Sequence, residues 1–198
     1  MVCLRNILVM EVVVVRVISG YLKGRNIDGY VVETTRPTMA RVKESMFASI
    51  QNYIDDALVL DLFCGSGSLG IEAISMGANK CYFVDNNRNI IGYLNKNIGN
   101  LNINDKSVVV QKDYREALLY FKNNNVKFNI ILVDAPYKME IMEEVINLVT
   151  EYGLLLDNGL LVLEYSFDKL KEEYKKLELV KCKKYSDKFV SIYRKIID

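Results

Sequence analysis

Val59-Leu60-Asp61-Leu62-Phe63-Cys64-Gly65-Ser66-Gly67-Ser68-Leu69-Gly70 reads as a buried strand, a glycine-rich turn and the start of a helix. Glycines let the backbone turn tightly and approach a ligand, and the free N–H groups of the following helix face that ligand. A nucleotide-like ligand is implied. The spacing Gly65-x-Gly67-x-x-Gly70 matches the dinucleotide fingerprint, and Asp85 follows about 20 residues later, where a ribose-binding acid belongs. Cys64, Gly65 and Gly67 on the loop, with Asp85 and its neighbour Asn86, are therefore candidate nucleotide contacts.

Asp61 stands at the tip of the strand, just before the loop. An acid there repels a pyrophosphate but suits the cationic methionine end of S-adenosylmethionine. Charge therefore argues against a dinucleotide. The competing reading makes Asp61 a helix-capping residue on an ordinary α/β turn.

A chain of 198 residues with 51% hydrophobic content can bury one sizeable core. The expected organisation is an extension over 1–15, a basic β-hairpin over 16–35 and one catalytic domain over 36–198. Four cysteines are scattered without a C-x-x-C pair and there is no histidine, so neither a conventional zinc site nor a His-based triad can be built. No metal is expected. With no disulfide framework and no long apolar span, the chain reads as soluble and cytoplasmic, with no membrane partner.

Net charge is +1, but six basic residues (Arg16, Lys23, Arg25, Arg36, Arg41, Lys43) face only Asp28 and Glu33 between positions 16 and 43. This stretch is a candidate phosphate-binding face, with a solvated surface as the plain alternative. Glycine-punctuated short strands up to Val32 predict the hairpin, and Arg36-Pro37-Thr38 introduces a helix over about 39–53 with Thr38 as its cap. Val42, Met46, Phe47 and Ile50 form the apolar stripe of that helix, and Phe47 reads as core packing.

Strands are then expected at 80–84, 107–112, 128–133 and 160–164, with helices at 87–100, 140–152 and 168–176. Asp61, Asp85, Asp113 and Asp134 each mark a strand's C-terminal end. That edge is where open α/β sheets bind ligands, so the four acids are expected to line one crevice. Residues 177–185 and 188–196 are strands separated by Ser186-Asp187 alone, which permits a hairpin and forbids a parallel crossover. The fold class is α/β: a Rossmann-like, mostly parallel seven-stranded sheet with one antiparallel strand, the layout of class I S-adenosylmethionine-dependent methyltransferases.

Asp134-Ala135-Pro136-Tyr137 resembles the (Asp/Asn/Ser)-Pro-Pro-(Tyr/Phe) motif of methyltransferases acting on exocyclic amino groups of nucleobases, with Ala135 in place of the first proline. The lone pair of such a nitrogen is delocalised into the ring, so acceptors must hold its N–H groups as charge develops. The Asp134 carboxylate and a backbone carbonyl of Ala135 or Pro136 suit that task, and Tyr137 can stack on a flipped-out base. Alanine keeps the carbonyl and loses a rigid φ.

Together with Arg16-Val17-Ile18-Ser19-Gly20, Lys23-Gly24-Arg25, Arg36-Pro37-Thr38 and Arg41-Val42-Lys43-Glu44, these motifs make the chain similar to the bacterial 16S ribosomal RNA guanine-N2 methyltransferase D family from Arg16 onward. Members of that family begin near this stretch, which leaves residues 1–15 outside the match. The resemblance implies methylation of one guanine N2 by a monomer acting on 16S rRNA in the small ribosomal subunit or its assembly intermediate. It implies S-adenosylmethionine as methyl donor at Asp61, Cys64, Gly65, Gly67, Asp85, Asn86 and Asp113, the last reading the adenine amino group. It further implies catalysis by Asp134, Pro136 and Tyr137, and RNA contacts from Arg16, Lys23, Arg25, Arg36 and Arg41. Two alternatives stand beside it. The same motif serves DNA adenine-N6 methyltransferases, although no target-recognition domain fits in this length; the other is a non-catalytic S-adenosylmethionine-fold protein that binds RNA or a partner.

Overall fold

The computed structural model describes residues 13–29, 36–135, 139–166 and 170–197. Two short strands, β1 (Val13–Arg16) and β2 (Asn26–Gly29), pair antiparallel as a sheet of their own. Helix α1 (Arg36–Ile50) follows, and then strands and helices alternate: β3 (Leu58–Leu62), α2 (Ser68–Ser75), β4 (Lys80–Asp85), α3 (Arg88–Leu101), β5 (Ser107–Gln111), α4 (Tyr114–Asn123), β6 (Phe128–Asp134), α5 (Met139–Glu151) and β7 (Leu155–Tyr165). Strands β8 (Glu173–Tyr174), β9 (Leu177–Tyr185) and β10 (Lys188–Lys195) close the chain.

The main sheet runs β5-β4-β3-β6-β7-β10-β9-β8. Strands β3 to β7 are mutually parallel, and β10 enters antiparallel between β7 and β9. The order reverses between β3 and β6, so the crevice over their carboxyl ends is where an open sheet of this kind accepts a ligand. The expected methyltransferase layout is borne out, with β10 as the antiparallel strand. One addition was not foreseen: β8 makes the sheet eight-stranded.

Apolar residues on β3 alternate between two cores. Val59 joins the layer under the N-terminal hairpin, α1, α2 and α3, whereas Leu60 and Leu62 join the layer under α4 and α5. A buried aliphatic side chain of this kind contributes roughly 1.5–3 kcal/mol. Val42, Met46, Phe47 and Ile50 of α1 all lie in the first core, so Phe47 is packing.

Two local expectations need correction. Leu170 to Lys176 is not helical; Glu173 and Tyr174 pair with Glu178 and Leu177 across a tight turn in which Lys176 takes φ +65°. Lys and Glu favour helix in isolation, and pairing against the edge strand β9 overrides that preference. Helix α1 begins at Arg36, which puts Thr38 inside its first turn instead of at the cap, while Pro37 occupies a first-turn position where its missing N–H costs nothing.

The N-terminal hairpin is fastened to the sheet domain by buried polar groups. Glu72 of α2, fully buried, accepts from the backbone N–H groups of Ile18 and Ser19 at 3.0 and 2.6 Å. Ser75 Oγ accepts from Leu22 N at 3.0 Å and donates to Ser19 O, while Ser75 O accepts from Tyr21 N at 2.9 Å. Asn97 of α3 donates to Asp28 O at 2.9 Å and accepts from Asp28 N at 2.9 Å. Gly20 makes this approach possible: its φ is +76°, and a Cβ there would fall 1.8 Å from Ser75 O.

Candidate active site

The loop from Phe63 to Gly67 carries the chain from β3 into α2. Its amides are directed by neighbours: Cys64 N donates to Val84 O at 2.9 Å and Gly65 N to Asp85 Oδ2 at 3.2 Å. The other oxygen of Asp85 accepts from Asn87 N at 2.9 Å, and Asn87 caps α3. Gly67 has φ +84° at the N-cap of α2, and a Cβ there would lie 2.5 Å from Leu94 Cδ1. Only glycine fits both conditions.

Two cavities open beside this loop and share Phe63. The larger, about 330 Å³, is lined by Asp61, Cys64, Gly65, Asp134 and Glu164 from the sheet side and by Arg16, Ala40 and Lys43 from the hairpin and α1. The smaller, about 30 Å³, lies among Val84, Asp85, Asn86, Asp113 and Tyr114. The four strand-end acids thus divide, Asp61 and Asp134 in one chamber and Asp85 and Asp113 in the other. Gly67 lines neither chamber and packs the loop against Leu94 and Ile71. Pro136 and Tyr137 lie outside the described residues. A cavity of about 710 Å³ lined by Lys127, Leu155, Tyr174 and Lys195 sits at the amino-terminal ends of β6 and β7, the edge away from the loop.

The larger chamber holds an unusual concentration of carboxyl groups. Asp61 is buried and its Oδ2 accepts from Gly70 N at 2.8 Å, so capping and cavity lining are one residue's work. Burial pushes its carboxyl up to about 7, against the Gly70 hydrogen bond and with help from Asp85. Asp134 is also raised to about 7, first by desolvation, then by Glu164 and Asp61, with Lys188 opposing. Glu164 pairs with Lys188 Nζ in a buried ion pair. Burial, with the charges of Asp61 and Asp85, raises the Cys64 thiol well above its ordinary value, which keeps it a neutral wall and not a nucleophile.

Among the basic residues, Lys43 departs from the expected surface face. Its ammonium is buried, 2.9 Å from Glu72 Oε2, and donates to Arg16 O at 3.0 Å and Ser68 Oγ at 3.2 Å. A buried charge requires such partners, and Glu72 on α2 supplies the counter-charge. Lys23, Arg25 and Arg41 are exposed, as is Arg16 on the cavity wall, while Arg25 Nη2 donates to Asn100 O at 2.9 Å. Arg36 opens α1, and its side chain lies outside the described residues.

Glu164, Lys188, Glu72, Asn97 and Phe63 were not singled out from the sequence. Glu164 carried the same signal as the four aspartates, an acid closing a strand. Lys188 and Glu72 carried none, because a single charge in a charged surface pattern looks solvated until its partner is known. Phe63 adopts φ +65°, a left-handed conformation that costs an aromatic residue about 1 kcal/mol or more.

A model of the family described as conserved hypothetical protein 95 matches residues 15–194. The chain is 34% identical over 155 residues to ribosomal RNA small subunit methyltransferase D of Haemophilus influenzae, covering 78% of this chain and 80% of that protein. It is 33% identical to the protein of the same name from Escherichia coli K12, covering 76% and 74%. Among solved structures, a conserved hypothetical protein of Streptococcus pyogenes superposes with a TM-score of 0.72 at 26% identity, over 78% of this chain and 95% of that one.

Proposed function

The chain belongs to the small-subunit ribosomal RNA methyltransferase D family, and from that premise we propose that it transfers a methyl group from S-adenosylmethionine to the exocyclic N2 of one guanine in 16S rRNA. The observation that carries the reading is the chamber itself, which places Asp134 of the amino-methylating motif in one cavity with Asp61 and the glycine loop. The residues present suit the cofactor. Asp61 offers a buried acid to a cationic methionine end, and a cation beside it would draw its carboxyl toward the ionised form. Asp85 spends one lone pair of each oxygen on Gly65 N and Asn87 N, which leaves acceptor sites for ribose hydroxyls. Asp113 accepts from Arg115 N at 3.0 Å as the cap of α4 and lines the small chamber where an adenine amino group would be read.

S-adenosylmethionine supplies an electrophilic methyl group whose bonding electrons stay with sulfur when it leaves. The chain's own part is to hold the nucleophile in line and to manage its protons. Asp134 as carboxylate accepts from the guanine amino group, and as the nitrogen's lone pair forms the new bond the same oxygen stabilises the charge that appears there. The nitrogen then releases one proton, for which Asp134 or solvent is the acceptor. Arg16 on the chamber wall, with Lys23, Arg25, Arg36 and Arg41, would engage RNA phosphates.

Single-turnover methylation of small-subunit particles, with cofactor and particles saturating, tests the assignment. Asn at 134 keeps an acceptor and removes the charge, whereas Ala removes both, so rates should fall in the order Asp, Asn, Ala. Loss of one such electrostatic contact is worth roughly 10² to 10³ in rate. A folded Asp134→Ala protein with a near wild-type rate would remove Asp134 from the chemistry.

A further inference from the structure

Three acids share one face of the sheet at its carboxyl edge. Asp134 is the register partner of Glu164 across β6 and β7, and Asp61, paired with Leu132, stands two residues below Asp134 on the same face. Strand β10 completes the row. Val190 pairs with Glu164, and Lys188, two residues earlier, points to the same face and buries its ammonium against the Glu164 carboxylate. Both members of the pair are over nine-tenths buried, far from the exposed ion pairs such as Arg115 with Glu144.

A buried ion pair adds little net stability over apolar residues of the same volume, so its presence beside a reacting carboxyl asks for another explanation. Other charged groups face the chamber around Asp134: Asp61 from β3, Arg16 from β1 and Lys43 from α1. Lys43 is engaged by Glu72, and Asp61 by Gly70 N. Glu164 and Lys188 come from the two strands nearest Asp134 on its β7 side and carry opposite signs. Each therefore acts on Asp134 in an opposite direction at short range.

We propose that the Glu164–Lys188 pair is a positioning element of the methyl-transfer reaction, acting through Asp134 by supplying the local charge balance under which that carboxyl holds the target amino group. The inference rests on the reading of Asp134 given above. Glu164 alone would keep Asp134 protonated and unable to accept. Lys188 alone would hold it ionised and tie it up electrostatically. The pair leaves it poised near neutrality, consistent with the direction each group exerts on Asp134.

The test follows the pH dependence of the single-turnover rate in wild type, Glu164→Gln, Lys188→Met and the double variant. Glu164→Gln leaves Lys188 facing Asp134, so the acid limb should move to lower pH by about one unit; Lys188→Met should move it up by a similar amount. The double variant removes both charges and should return the limb close to wild type. A structural role alone lowers activity or stability without this opposed and cancelling pattern. The double variant also covers the case in which one buried unpaired charge prevents folding. The ¹³C shift of the Asp134 carboxyl carbon, titrated by NMR in the same proteins, reads the balance without substrate. Limbs that stay fixed, or a carboxyl midpoint that does not move, would overturn the inference. If wild type methylates no RNA while the midpoint moves as described, the function is wrong and the charge balance stands as a property of the fold alone.

Discussion

At the scale of the residue, the acids at the strand ends do more than one job each. Asp61 caps α2 through Gly70 N and walls the larger chamber, and its burial has a thermodynamic consequence. Its carboxyl sits near 7 in the folded chain and about 4 when unfolded, so the folded state binds the extra proton between those values. Stability from this group is fully present below about pH 4 and is lost as pH rises through about 7. Asp61→Asn keeps an oxygen for Gly70 N and removes the charge. Its melting temperature should therefore exceed that of wild type by more at pH 8 than at pH 4.5; an equal difference at both values would contradict the raised carboxyl. Much of this was legible in the residues, since an acid at the end of an apolar strand before a glycine loop has few other uses. What was hidden is that Glu164 belongs to the same row and that Lys188 neutralises it, because their meeting depends on the β7–β10 register.

Elements show the same division between local signal and tertiary outcome. The glycine loop, the helix α3 and the Ser186-Asp187 hairpin all follow from short-range chemistry, and the structure places them as expected, with Asn87, where the helix is expected to begin, capping α3. The run 170–176 does not, since its helical propensity yields to strand pairing. The N-terminal hairpin shows the tertiary side: its sequence predicts short strands and turns, and Lys43, Glu72, Ser75 and Asn97 bind it to α1, α2 and α3. Removing Glu72 leaves the Lys43 ammonium buried and strips acceptors from two backbone amides. Breaking a buried pair from one side costs roughly 3–5 kcal/mol, so Glu72→Ala should lower the unfolding free energy by that order and expose the amides of 17–25 to faster hydrogen exchange. A urea transition superimposable on that of wild type would show that the hairpin is held by other means.

The molecule as a whole sets the Arg16 end of a basic hairpin against the carboxyl edge of a parallel sheet, with Lys43 touching Arg16 on one side and Ser68 of the glycine-loop helix on the other. The proposed RNA-binding Arg16 and the proposed methyl-donor chamber are thereby set in fixed relation, the arrangement the proposed reaction requires. Among the described residues no helix is long and apolar enough to cross a membrane. The most direct measurement supplies the chain with S-adenosylmethionine bearing a labelled methyl group and with small-subunit particles from cells lacking this activity, then digests the RNA to nucleosides. The account predicts label in N2-methylguanosine at a single position of 16S rRNA; label in any other nucleoside, or cofactor binding with no transfer to RNA, would contradict it.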